Sequence, residues 1–360
     1  MELLSVYDYE AAAAELLEPG PLGYYAGGAG DELTLRDNVE AYRRWIFRPR
    51  MLVDVAACST AATVLGHEVS MPILVAPTAF QRVIHPDGES GMARAARDAG
   101  TIFCLSTLTT TTPAEVAEAG GQRWFQVYVF KDEGVTRDLV AQARDSGYTA
   151  LLLTVDAPFR GNRERDARTG FRIPDGIEVV SVGKGGVTPR DVFDRISPSL
   201  SWRDVERLAS EAGLPVLVKG VLTAEDALLA VEHGVAGVVV SNHGGRQLDG
   251  VAASLDALPE VVEAVADRVE VLVDGGVRRG MDAAKALALG ARAVLVGRAM
   301  LWGLAVGGEA GARRVLEILQ TELLLAQQLL GCPTPAEIGR AHVARRAEIQ
   351  GRTSSSNSTV

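Results

Sequence analysis

The sequence predicts an α/β fold: a (β/α)8 barrel of the TIM type with an N-terminal helical extension. Three observations predict it. Eight short apolar segments recur along the chain, most of them separated by a helical stretch. Continuous apolar strands alternating with helices imply parallel strands covered by those helices, and eight is the count that closes a barrel. The loops after the seventh and eighth segments, DGGVRRG (Asp274 to Gly280) and GRAM (Gly297 to Met300), carry glycine and arginine where such barrels hold phosphate. An open doubly wound sheet is the competing fold. It would favour Gly-x-Gly-x-x-Gly at its first turn, and no strong version of that motif is present.

The elements follow in order. Residues 1–70 are read as the extension. Val6 to Leu17 is Ala-rich with helical spacing and stops at Pro19-Gly20; Gly23 to Glu32 reads as a glycine-rich turn carrying Tyr24 and Tyr25. Asp31 to Arg44 reads as a second helix with Asp31 as its N-cap. Residues 71–305 are the barrel core. Its strands are expected at Ile73–Ala76, Thr101–Leu105, Trp124–Val129, Ala150–Val155, Leu214–Lys219, Gly237–Ser241, Glu270–Asp274 and Ala293–Val296. Residues 306–350 are expected to hold C-terminal helices, with an amphipathic one over Arg313–Leu330. The whole of 1–350 is read as one domain, and the polar stretch 351–360 as a disordered tail.

Composition narrows the function class. The chain has 360 residues, a formal net charge of −10 and a pI near 5.2, which argues against nucleic acid as a partner. Cys58, Cys104 and Cys332 are far apart and show neither metal-ligand spacing nor a disulfide framework, so no metal and a reducing compartment are expected. No uninterrupted apolar run reaches membrane-spanning length, and the acidic start does not resemble a signal peptide.

The polar residues gather at the predicted strand exits. They are Pro77-Thr78-Ala79, Ser106, Gln126 with Tyr128, Thr154 with Asp156, Lys219, and Ser241 with His243. Barrel enzymes place their active sites at that end. In SNHGGRQLDG (Ser241 to Gly250), His243 offers a general base and Arg246 a fixed cation. Glycine lets backbone approach a phosphate closely, and Arg278 or Arg298 adds charge, so a phosphate-bearing cofactor is expected. Lys219 has an alternative reading as a Schiff-base lysine.

The motifs SNHGGRQLDG, LPVLVKGVLTAEDA, DGGVRRGMDAAKALALGA and VGRAM resemble those of the FMN-dependent L-2-hydroxy acid oxidase family, and the likeness extends over nearly the whole chain. The resemblance implies FMN across the barrel mouth. Arg278, in the loop that includes Gly275 and Gly276, and Gly297 with Arg298 after the eighth strand, would hold its phosphate, and Asp274 its ribityl chain. Ser106, Gln126, Thr154, Ser241 and the Pro77-Thr78-Ala79 backbone would contact the flavin, with Lys219 near N1 and O2. Arg163, Arg246 and Tyr24 would bind the substrate carboxylate. His243 would take a proton, Asp156 would stabilise the imidazolium by raising its pKa, and Tyr128 would hydrogen-bond the substrate oxygen. Whether the α-hydrogen leaves as a proton or a hydride stays open.

Departures from the family pattern are also informative. Members that oxidise glycolate carry tryptophan where this chain has Leu108, so a wider pocket and a medium-chain or aromatic L-2-hydroxy acid are implied. Phe80 and Phe159 are candidates to line it. The interval from Phe159 to Pro198 lacks the apolar insert of membrane-bound members, so O2 is the implied acceptor and H2O2 the co-product. Oxidative decarboxylation, or a dehydrogenase with a different acceptor, is the alternative. A flavin-binding protein without turnover is a third. The resemblance implies a homo-oligomer, a tetramer or octamer. The C-terminal Ser-Thr-Val is not a peroxisomal address, so a cytoplasmic location is expected.

Overall fold

The computed structural model describes residues 2–347, so the tail expected at 351–360 lies outside the described residues. Eight strands close a parallel barrel. They are β1 (Ile73–Val75), β2 (Phe103–Ser106), β3 (Arg123–Val127), β4 (Ala150–Thr154), β5 (Val216–Val221), β6 (Gly237–Val240), β7 (Glu270–Asp274) and β8 (Ala293–Val296). The closing pair is β8 with β1, in register Leu295 with Leu74. All eight match the expected positions to within a few residues.

Alternation along each strand divides the core in two. Leu74, Cys104, Trp124, Leu152, Leu217, Val239, Leu272 and Leu295 fill the barrel interior. Their neighbours, such as Ile73, Phe103, Phe125, Leu151, Val218 and Val240, pack outward against the helices. Two positions beyond the interior residues come Ser106, Gln126, Thr154, Lys219, Ser241, Asp274 and Gly297. The period of two therefore carries these groups onto the inner face at the C-terminal rim.

The N-terminal extension differs from the expectation in two places. The first helix, α1 (Val6–Leu16), does stop before Pro19, but a second helix, α2 (Pro19–Ala26), starts there. Proline at the first position of a helix loses no intrahelical bond, so it starts a helix as readily as it ends one. Tyr24 and Tyr25 therefore sit on a buried helical turn and not in a loop. The third helix, α3 (Leu33–Arg44), is not capped by Asp31. Its N-cap is Glu32, in the left-handed region, and the Leu33 and Thr34 amides donate to the Asp249 carboxylate at 3.2 and 2.8 Å. A residue more than two hundred positions away caps the helix, and no local pattern reveals it.

The long interval after β4 contains short helices at Glu164–Thr169 and Pro189–Phe193. A further helix, Trp202–Ala212, begins with a Ser201/Asp204 capping box that the sequence displays. The final long helix runs Arg298–Leu330 with non-helical Gly307 and Gly308 at a kink, so Arg313–Leu330 is its second half. Strand Val343–Arg345 pairs antiparallel with Trp45–Phe47 of the extension. Among the described residues, no helix is long and apolar enough to cross a membrane.

Candidate active site

One cavity opens at the C-terminal rim. Its wall includes Tyr24, Pro77, Thr78, Ala79, Ser106, Leu108, Gln126, Tyr128, Thr154, Arg163, Lys219, His243, Arg246, Asp274, Gly275, Gly276, Arg278, Gly297 and Arg298. The structure thus brings together nearly every site residue expected from sequence. Asp156 and Ser241 stand one layer behind this wall, against His243 and Lys219. Of the two expected pocket phenylalanines, Phe80 is buried beside Tyr24 and Phe159 is 75% exposed; neither lines the cavity. Phe193 does so instead, 5.8 Å from the Tyr128 ring. It comes from the interval after β4, and nothing in its local sequence marks it.

His243 sits at φ 60°, and Gly244 and Gly245 follow at φ 64° and 74°. A left-handed residue with a side chain costs roughly 1–2 kcal/mol, which surrounding contacts must offset. The His243 amide donates to Ser241 Oγ at 3.0 Å, and Asn242 accepts from the Gly245 amide at 3.1 Å. The turn directs the imidazole between two partners. Nδ1 is 2.9 Å from Asp156 Oδ1, and Nε2 is 3.3 Å from the Tyr128 hydroxyl. With Asp156 accepting at Nδ1, the neutral ring leaves Nε2 as a proton acceptor toward the cavity.

The electrostatics refine one expectation. Burial pushes the His243 pKa below its usual value; Asp156 raises it, but Lys219 and Arg163 add to the lowering. The net direction is downward, opposite to the effect of the carboxylate alone. Burial alone would raise Asp156, yet the imidazole and Lys219 hold it below the usual carboxylate range. A neutral imidazole beside an ionised carboxylate is ready to take a proton. Burial pushes the Tyr128 hydroxyl well up, so it remains a donor.

Lys219 donates to Ser241 Oγ at 2.9 Å and lies 3.1 Å from Asp274 Oδ2. Burial would lower its pKa, but Asp274 and Asp156 outweigh burial and raise it. A Schiff-base lysine must shed its proton to attack, so this environment disfavours that alternative.

Two guanidiniums face the histidine. Arg163, 2% exposed, donates to the Arg246 carbonyl and to Gln247 Oε1, both at 3.1 Å, and lies over the Phe193 ring. Arg246 donates to the carbonyls of Tyr24 and Gly27 at 2.6 and 3.0 Å and sits over the Tyr24 ring. Among the described residues, neither forms an ion pair with a carboxylate. Burial and the charge of Arg246 both disfavour the cation at Arg163. A buried and a half-buried guanidinium with no anion among the described residues fit a carboxylate-bearing ligand.

A second cationic cluster lies at the β7 and β8 loops. Arg298 donates to the carbonyls of Tyr25, Gly27 and Gly244, each at 2.9 Å. Burial, Arg246 and Arg278 all destabilise its charge. Arg278 has Glu10 as partner at 3.2 Å. Nearby, Asp274 keeps one buried oxygen without a partner. Cations short of anions, glycine backbone at Gly275, Gly276 and Gly297, and an unsatisfied carboxylate oxygen form a donor set suited to a phosphorylated, hydroxyl-bearing cofactor.

Sequence reasoning missed the residues that support these groups. Tyr25 donates to the Phe80 carbonyl at 2.7 Å, bracing the loop after β1. Fully buried Glu89 accepts from the amides of Gln81 and Thr110 and the hydroxyls of Thr110 and Thr111, tying the loops after β1 and β2 together. In the sequence Glu89 is an ordinary acid in the first turn of a helix, and nothing local hints at that role.

The fold and site define an enzyme of the barrel class that works at its C-terminal face. The family itself follows from comparison: the profile described as FMN-dependent dehydrogenase matches residues 13–345, and the chain belongs to that family. It is 49% identical to glycolate oxidase 3 of Arabidopsis thaliana over 95% of this chain and 96% of that protein. It is 48% identical to the L-lactate oxidase of Nostoc sp., over 91% and 94%. Among solved structures, mandelate oxidase with (S)-4-hydroxymandelic acid superposes with a TM-score of 0.90 at 42% identity, covering 93% of this chain and 98% of that one. The cofactor of this family is FMN, and the chain is an enzyme of the 2-hydroxy acid oxidase group.

Proposed function

We propose that this protein oxidises an L-2-hydroxy acid to the 2-oxo acid, with O2 as acceptor and H2O2 as co-product. The observation that carries this is one cavity holding the Asp156-supported His243 together with Arg163 and Arg246, which have no carboxylate partner among the described residues. The two arginines take the substrate carboxylate, where Arg163 gains the counter-charge it lacks. That fixes the α-carbon near His243 Nε2 and the Tyr128 hydroxyl, which sit 3.3 Å apart. Tyr128 donates to the substrate oxygen, and His243 takes the proton released as the carbon is oxidised. Asp156 then holds the imidazolium.

FMN supplies the two-electron acceptor for this chemistry. Arg278 and Arg298 with Gly275, Gly276 and Gly297 are the residues to hold its phosphate, and Asp274 its ribityl hydroxyls. Thr78, Ala79, Ser106, Gln126, Thr154 and Lys219 would face the ring, Lys219 as a fixed positive charge. Ser241 acts from behind, through Lys219 and the His243 amide.

Leu108, 1% exposed, and Phe193 provide an apolar wall beside Tyr128, which supports a medium-chain or aromatic side chain. The three cysteines are unpaired, which supports a reducing compartment such as the cytoplasm. The test is to supply purified yellow protein with lactate, 2-hydroxyoctanoate, mandelate and 4-hydroxymandelate. Peroxide and the matching oxo acid are expected. Carbon dioxide and a shortened acid in their place would establish a decarboxylating monooxygenase, and reduction without any peroxide would point to another acceptor.

A further inference from the structure

Helix α3 of the N-terminal extension packs against the active-site loops, and its Asn38, 2% exposed, reaches the base of the His243 loop. Its Nδ2 donates to Asn242 Oδ1 at 2.8 Å, and Asn242 Nδ2 donates back to Asn38 Oδ1 at 2.8 Å. Backbone partners fix both amide orientations. The Ser254 amide donates to Asn38 Oδ1 at 3.2 Å, the Gly245 amide to Asn242 Oδ1 at 3.1 Å, and Asn242 Nδ2 to the Ala252 carbonyl at 3.0 Å. Flipping either side chain would set donor against donor or acceptor against acceptor.

The pair lies at the base of the His243 turn. Residues 243–245 are three successive left-handed residues, a conformation that a histidine does not hold unaided. Helix α3 also packs so tightly that a Cβ on Gly245 would lie 2.5 Å from the Leu35 nitrogen, and one on Gly276 would lie 2.0 Å from the Asn38 carbonyl oxygen. Further along the same loop, Asp249 caps α3. The helix and the loop therefore support each other.

We propose that Asn38 is a positioning residue for His243: its reciprocal amide pair with Asn242 holds the turn that aims the imidazole at Asp156 and Tyr128. The proposal rests on the reading of His243 as the proton acceptor. It adds that the aim of this base is set from outside the barrel, by the extension.

The experiment uses FMN-loaded protein and measures anaerobic bleaching of the flavin at saturating (S)-mandelate or (S)-2-hydroxyoctanoate, whichever the native enzyme bleaches faster. The variants are Asn38→Ala, Asn242→Ala, the double variant and Asn38→Asp, with FMN affinity and Tm measured alongside. The rate per bound flavin is expected to fall about tenfold or more in each alanine variant, since misplacing a reacting group is costly. The double variant should be no slower than the worse single one, because both remove the same pair. Asn38→Asp keeps the side-chain size and both accepted bonds but sets a carboxylate oxygen against Asn242 Oδ1 where the donor stood, so its rate should fall as well; it decides the matter if the alanine variants do not retain flavin. A lowered Tm with bleaching within about twofold of native would show a merely structural role and overturn the proposal, as would losses that multiply in the double variant. Native-rate bleaching by His243→Ala would instead remove the base assignment itself.

Discussion

His243 Nδ1 lies 2.9 Å from Asp156 Oδ1, although 87 residues separate them in the chain. The contact joins the exits of β4 and β6, which are not neighbours in the barrel; β5, with Lys219 at its end, runs between them. That placement gives the pH behaviour a definite sign. Burial, Lys219 and Arg163 lower the His243 pKa more than Asp156 raises it. The base is therefore neutral at pH 7, and activity should fall only as pH drops through a value below the usual 6.5. Asp156→Asn removes the raising influence, so the acidic limb should move lower still while the plateau rate falls by about 10²–10⁴-fold. The pH profile of kcat/KM checks both. An acidic limb above 6.5 in the native enzyme would contradict this balance of charges.

Leu108→Trp should narrow the pocket beside Phe193 and Tyr128. We expect kcat/KM for mandelate to fall by about 10- to 200-fold relative to lactate, the range for filling an apolar subsite. Equal losses for both acids would place side-chain selection elsewhere.

Arg163 is buried with its charge unpaired by any carboxylate among the described residues. Arg163→Met should raise KM steeply, because the substrate loses one of two guanidinium partners. It should leave Tm unchanged or higher, since it also removes an uncompensated buried charge. A carboxylate inhibitor should raise the Tm of the native protein more than that of the variant, which thermal shift assays would measure.

Lys219→Met deprives Asp274 and Ser241 of their charged partner. Flavin affinity and the rate of flavin reduction should both fall, with no loss confined to one substrate. A variant that is fully active and binds FMN normally would show that the fixed charge of Lys219 is dispensable.

Glu89→Ala should destabilise the fold by roughly 1–3 kcal/mol or more, because two buried amides lose their acceptor. Thermal unfolding of the FMN-loaded protein measures it, and Glu89→Gln should recover most of the loss. The same variants should alter the mandelate-to-lactate preference, since the loop that Glu89 holds presents Leu108.

The barrel and its rim were legible in the sequence because both follow from local periodicity. An apolar strand with a period of two must place Cys104 and Ser106, Trp124 and Gln126, Leu217 and Lys219, or Leu272 and Asp274 on one face, and the parallel fold sends all these ends the same way. Glycine and arginine after β7 and β8 marked the proposed anion site, at the loops where such barrels hold phosphate. Resemblance to a family added the proposed roles of Arg163 and Tyr24, which no spacing could supply. Only tertiary structure decided the rest. Asp249 capping α3, Asn38 bracing the His243 turn, Glu89 joining two loops and Phe193 replacing Phe159 in the pocket wall are contacts between segments far apart in the chain. The net downward shift at His243 belongs with them, because it sums burial with charges contributed by several strands and loops. Periodicity specifies which face a side chain takes; closure of the barrel determines what it meets there.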